Sequence, residues 1–134
     1  MIWSNETLKV LAESQPSWVV DAEGDCLRIS NDEGIDAFIY VGDRQIVAET
    51  ALFPAAAVTD KAVLNDLILR THRLLPLTTI CINKIGDQDY YTAFGSLSID
   101  SKDSVIVEEI ETLFANVDEF IELYNEHLNE GAAA

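Results

Sequence analysis

Between Trp18 and Phe53 the chain holds four strand-like runs with almost nothing between them. Residues 18–22, 26–30, 35–41 and 45–53 are separated by Glu23-Gly24-Asp25, Asn31-Asp32-Glu33-Gly34 and Gly42-Asp43-Arg44. These separators are strong turn formers. Connections this short join only antiparallel neighbours, because a parallel return needs a crossover of about a dozen residues or more. The segment therefore predicts an antiparallel meander, with Pro54 stopping its last strand. In the third run Ala37, Ile39 and Val41 share one face, and Phe38 and Tyr40 the other. In the fourth, Val47, Ala51 and Phe53 oppose Ile46, Ala48 and Leu52. An antiparallel sheet with one face in water should show a polar outer side. That side is largely missing here, so a helix on each face or a partner subunit should cover the excess. A homodimer is the expectation.

Helical spacing appears before, between and after the strands. Ser4 is a plausible N-cap, with Trp3 and Leu8 placed for a hydrophobic staple and Leu8, Leu11 and Ala12 on one face. Gln15-Pro16 ends that helix. Thr59 or Asp60 should cap a second helix to about His72, with an apolar stripe of Val63, Leu64, Leu67 and Ile68. Residues 77–83 and 90–98 read as a second hairpin across Lys84-Ile85-Gly86-Asp87. Ile80 and Ile82 share a face of its first strand, and Tyr91, Ala93 and Gly95 a face of its second. A closing helix, capped by Asp103 or Ser104, should reach about Asn129, roughly 40 Å at 1.5 Å per residue. Ile106, Ile110, Leu113, Val117, Phe120 and Tyr124 form its stripe, widened by Val107, Phe114, Ile121 and Leu128. The order is α-β-β-β-β-α-β-β-α. The fold class is α+β, an antiparallel sheet flanked by helices. With 134 residues there is one domain, residues 1–130, and a frayed tail at 131–134.

The charge balance is extreme. Eight Lys and Arg stand against 24 Asp and Glu, a formal net charge of −16. Such a field argues against nucleic acid and against anionic membrane surfaces. From Asp103 onward there are nine acids and no Lys or Arg. Glu108, Glu109, Glu111, Asp118, Glu119, Glu122 and Glu126 mostly avoid the apolar stripe, which suits a solvated face or the steering of a basic partner. The N-terminus has no basic-then-apolar leader, and no apolar run spans a bilayer, so a cytoplasmic protein is expected. Cys26 and Cys81 read as two buried reduced thiols.

No catalytic pattern rises above background. The acids near Asn31-Asp32-Glu33-Gly34 and Gly86-Asp87-Gln88-Asp89 do not fit a cation-binding loop. His72 and His127 lack ligand spacing, and the chain has no Gly-rich phosphate loop and no nucleophile elbow. The expectation is a non-enzyme without cofactor or metal; a small metal-dependent enzyme is the remote alternative.

The order, length and acidity resemble type III secretion chaperones, with Leu52-Phe53-Pro54 and Leu64-Asn65-Asp66-Leu67-Ile68-Leu69-Arg70 where those carry a loop and their second helix. Such chaperones are usually homodimers that hold an extended partner segment. A second resemblance rests on Arg70-Thr71-His72-Arg73-Leu74-Leu75-Pro76-Leu77, Asp89-Tyr90-Tyr91 and Phe94-Gly95-Ser96-Leu97-Ser98. These residues are similar to the YjfI-like bacterial proteins, a family of unknown function coded beside homologues of the membrane-stress protein PspA. That resemblance implies a protein-binding adaptor or chaperone near envelope-stress machinery, with a PspA-like partner. A dedicated secretion chaperone for an effector segment is the alternative. The residues expected to meet a partner are Phe53, Tyr90, Tyr91 and Phe94, the basic cluster Arg70, His72 and Arg73, and Glu119 and Glu122 on the acidic helix.

Overall fold

A computed structural model describes residues 2–129; the tail expected to fray lies outside them. Helix α1 (Asn5–Glu13) begins as its residues dictate. The Ser4 Oγ accepts from the Thr7 N–H at 3.2 Å, and the Thr7 Oγ1 accepts from the Ser4 N–H at 2.9 Å. Two N–H groups that the first turn leaves without a carbonyl are thereby satisfied. Trp3 and Leu8 are both buried, completing the staple.

The strands are β1 (Val19–Glu23), β2 (Cys26–Ser30), β3 (Asp36–Val41), β4 (Gln45–Pro54), β5 (Thr79–Ile85) and β6 (Gln88–Ser98). They form one six-stranded sheet in the order β1-β2-β3-β4-β6-β5, with every pair of neighbours antiparallel. The meander and the second hairpin thus join through β4 and β6, the two longest strands. Helix α2 (Lys61–Thr71) lies between β4 and β5, and α3 (Asp103–Tyr124) follows β6. Single 3-10 turns sit at Ala55–Ala57, His72–Leu74 and Asn125–His127. This is the expected α-β-β-β-β-α-β-β-α order.

One face of the sheet carries the whole core. Leu27, Ile29, Ala37, Ile39, Ile46, Ala48, Ile80, Tyr91 and Ala93 pack in a single cluster with Leu8 and Ala12 of α1, Leu64 and Ile68 of α2, and the entire predicted stripe of α3. Successive strand residues point to opposite faces, so this set defines one side of the sheet. All three helices lie on that side. The alternative of a helix on each face does not occur among the described residues.

Several boundaries differ from the expectation, each for a local reason. Pro54 does not stop β4 short; it is the strand's last residue, opposite Tyr90. Leu77 is not part of β5. Its φ of 69° lies in the left-handed region and it is exposed, so the strand starts at Thr79. The β5–β6 turn is tighter than expected, because Ile85 pairs with Gln88 and only Gly86-Asp87 remain between them. A two-residue hairpin turn favours positive φ, which Gly86 adopts at 63°. Helix α2 is capped by Asp60, whose Oδ1 accepts from the Val63 N–H at 3.2 Å, but Val63 itself is exposed. Helix α3 is capped by neither Asp103 nor Ser104. Lys102 holds the N-cap position and offers no side-chain acceptor. The helix ends at Tyr124, about 33 Å from its start at 1.5 Å per residue. The chain then turns so that Val58 bridges to Leu128 and the His127 carbonyl accepts from the Thr59 N–H at 3.0 Å.

Candidate functional site on the helix-free sheet face

The face of the sheet turned away from the helices is not polar. Phe38 and Tyr40 on β3, Val47 and Ala51 on β4, Thr92 and Phe94 on β6, and Cys81 and Ile85 on β5 all project to it. Their register is continuous across the strands. Phe38 stands opposite Glu49, Glu49 opposite Phe94, Ala51 opposite Thr92, and Thr92 opposite Cys81. Tyr40 is 43% exposed, and Phe38, Val47, Glu49 and Phe94 are half-buried, with no helix over them among the described residues. Alternation in β3 and β4 put apolar side chains on both faces, and only one face received helices.

A cavity of about 320 Å³ opens on this face, lined by Phe38, Tyr40, Glu49, Ala51, Asn83, Lys84, Ile85 and Thr92. Two polar groups in it are incompletely satisfied. The Thr92 hydroxyl oxygen is fully buried without a hydrogen bond. The Glu49 carboxylate forms no ion pair: the salt bridges among the described residues are Lys9–Glu13, Arg28 with Asp21 and Glu23, Arg70–Asp66 and His127–Glu126. Burial raises the Glu49 pKa above the ordinary carboxylate range, and the nearby Tyr40 hydroxyl pulls it part of the way back. Cys26 and Cys81 are free, and burial raises the pKa of both thiols. Both cysteines belong to this face rather than to the core, and Cys81 is only half-buried.

The residues expected to meet a partner do not converge. Phe53 and Tyr91 are corrections. Both are buried in the core, 3% and 1% exposed, with ring centroids 5.2 Å apart. Alternation placed Phe53 with Val47 and Ala51. A bulge breaks the register between Ala51 and Phe53, inserting Leu52 as an extra residue and turning Phe53 to the helix side. Tyr91 also bonds Asn65 of α2 through its hydroxyl. Arg70 pairs with Asp66 at 2.9 Å on an exposed turn of α2. His72 accepts from the Ile80 N–H through Nδ1 at 3.3 Å, fixing the end of α2 to β5. Arg73 is exposed. Glu119 and Glu122 line a shallow surface groove with Leu123, Asn125 and Glu126, on the solvent side of α3. Only Phe94 and Tyr90 fall on or beside the helix-free face. Of the residues at its centre, Glu49 and Thr92 were missed, while Phe38 and Tyr40 were legible as strand aromatics suited to recognition. Their signal was the two-sided alternation of β3 and β4, but which face stayed open was not visible in it.

The loop Asn31-Asp32-Glu33-Gly34 spends its carboxamide on its own turn. The Asn31 Oδ1 accepts from the Glu33 and Ile35 N–H groups at 3.0 and 2.8 Å. Among the described residues no group of three or more His, Cys, Asp or Glu is placed to hold a metal ion, and no helix is long and apolar enough to cross a membrane.

The family profile described as "Uncharacterized protein conserved in bacteria (DUF2170)" matches residues 5–128, which is nearly every element above. The chain belongs to this family. It is 27% identical over 131 residues to the uncharacterized protein YjfI of Escherichia coli strain K12, covering 95% of this chain and 98% of YjfI. The YjfI resemblance read from the second half therefore extends over the first half as well. Among solved structures, the DUF2170 chain is similar to E. coli YbjN, a candidate transcription regulator, with TM-score 0.68 and 16% identity over 93% of this chain and 96% of that one. It is also similar to an uncharacterized protein from Methanothermobacter thermautotrophicus, with TM-score 0.59 and 12% identity over 95% and 100% of the two chains. At these identities the likeness is one of fold.

Proposed function

We propose that this chain is a non-catalytic protein-binding module, an adaptor or chaperone for a PspA-like envelope-stress protein. The observation that supports binding is the helix-free sheet face. It carries aromatic and aliphatic side chains that a stable monomer would ordinarily place under a helix. The PspA-like partner rests on the YjfI-like resemblance alone and is an inference by association. A nucleic-acid role, which the regulator description of YbjN would suggest, sits poorly with a net charge of −16. Catalysis has no support in the arrangement of side chains. Most carboxylates are scattered over the surface, and the one in the cavity stands among Tyr40, Thr92 and Lys84 with no second carboxylate.

A dedicated secretion chaperone is the second reading. It draws on the edge strand β5 and the apolar groove of about 270 Å³ beside it, lined by Asn65, Ile68, Leu69, Ile80, Cys81, Ile82 and Tyr91. A free edge next to such a groove suits an extended segment.

The test is a crosslinked pull-down of the tagged full chain from its own host, read by mass spectrometry, beside the variant Tyr40→Glu. Tyr40 is exposed enough to change without disturbing the core. Enrichment of a PspA-like protein by the unaltered chain, lost in Tyr40→Glu, is expected. Recovery of an exported effector instead would move the assignment to the secretion chaperone. Recovery of the chain alone would remove the adaptor reading and leave this face to a second copy.

A further inference from the structure

We propose that the helix-free face receives a basic, apolar segment of a partner protein, with one Lys or Arg side chain entering the cavity and ending on Glu49. This rests on the protein-binding reading above and names the chemistry of the segment bound.

The cavity across β3, β4, β6 and β5 has room for one long side chain, at about 320 Å³. The Thr92 hydroxyl, 1% exposed, has no partner there, and the Glu49 carboxylate has the Tyr40 hydroxyl beside it but no cation. Both accept hydrogen bonds, and an ammonium or guanidinium supplies donors in excess. An anion would instead meet the Glu49 carboxylate, a like charge. The cations nearest to the site do not serve it. Arg28, on the same face, is held by Asp21 at 2.9 Å and Glu23 at 3.4 Å. Lys84 lines the cavity and forms no ion pair with Glu49. The walls suit the rest of such a side chain. Phe38 and Tyr40 put aromatic rings beside the cavity for a cation, and Ala51 and Ile85 offer apolar surface to its stem.

The desolvation of Glu49 points the same way. Its pKa stands above the ordinary range chiefly because the carboxylate is partly removed from water with no cation to replace the water. An incoming cation would reverse that. The molecule's −16 charge would draw a basic segment from a distance. A second copy of this chain is the poorer occupant. Face-to-face docking would bring two Glu49 carboxylates into one apolar interface and join two strongly acidic bodies.

The test is an NMR titration of the nitrogen-15-labelled full chain with acetyl-Leu-Lys-Leu-amide, and with the same peptide carrying Gln or Glu in the middle. Unaltered chain, Glu49→Gln and the surface control Glu6→Gln are compared. The Lys peptide should shift amides at Phe38, Tyr40, Glu49, Asn83 and Thr92 and bind about tenfold more tightly than the Gln peptide. The preference should disappear in Glu49→Gln and persist in Glu6→Gln. The carboxyl resonance of Glu49 should titrate at lower pH with the Lys peptide bound. Equal binding of the Lys and Gln peptides to unaltered chain would overturn the proposal, as would shifts spread along the acids of α3. So would peptide-free, concentration-dependent shifts at the same amides, which would assign the face to a second copy. The pull-down result does not depend on these outcomes, so the protein-binding reading stands or falls separately.

Discussion

At the scale of single residues, Glu109 is the departure that the chain's polar pattern conceals. It is 5% exposed, and its Oε2 is buried without a partner. The reason lies opposite it. Gly95 faces the Glu109 carboxylate, and a Cβ there would collide with it. Gly95 in turn pairs with Ala48, so two of the smallest residues open a notch on the core face of the sheet. Burial, reinforced by the charge of Glu108, raises the Glu109 pKa above that of an ordinary carboxylate. The folded protein therefore holds this proton more tightly than the unfolded chain does. The stability this contributes is fully present below the unfolded-state pKa and is lost as pH rises through the folded-state pKa. Glu109→Gln should remove that loss at higher pH. We expect a gain on the order of 1 kcal/mol at pH 7, because the neutral amide buries no charge, and little change at pH 3.5. Urea unfolding of both proteins at the two pH values checks it. An equal effect at both would show that the charge is not responsible. Its charge placed Glu109 with the solvated acids, but 106, 109, 110 and 113 follow helical spacing, so the position lies with the stripe although its chemistry does not.

At the scale of elements, the two well-packed helices begin differently. Helix α1 has a complete capping box, and α3 has Lys102 where an acceptor would serve. The six stripe residues of α3 are all buried, so packing carries a helix that its cap and its acidic end do not favour. Lys102→Ser should stabilise by about 1 kcal/mol, a rise of roughly 3–5 °C in the melting temperature. Ser4→Ala should cost a similar amount. Thermal unfolding by circular dichroism checks both. No gain from Lys102→Ser would mean that the 3-10 bond from the Val105 N–H to the Lys102 carbonyl, at 3.1 Å, already satisfies that turn. The stripe itself was readable because its period is local. The end of α3 was not, since Leu128 leaves the helix to bridge Val58, a contact made far away in sequence.

At the scale of the whole molecule, a net charge of −16 repels itself in the folded state more than in an expanded one. Raising sodium chloride from 20 to 500 mM shortens the screening length from roughly 20 Å to about 4 Å and should relieve that repulsion. The urea midpoint should rise by a few tenths molar. A flat or falling midpoint would show that the surface acids are spaced widely enough to be harmless. The sequence alone determined the antiparallel meander, the second hairpin, the order of elements and the core stripe of α3. Each follows from turn length or side-chain period, which act within a few residues. Tertiary structure decided that β4 pairs with β6, that all three helices share one face, that a bulge turns Phe53 into the core, and that Glu49 and Thr92 are left in an open cavity. Those outcomes depend on which surfaces meet, and pairing between distant segments is set by the packing of the whole core rather than by any local rule.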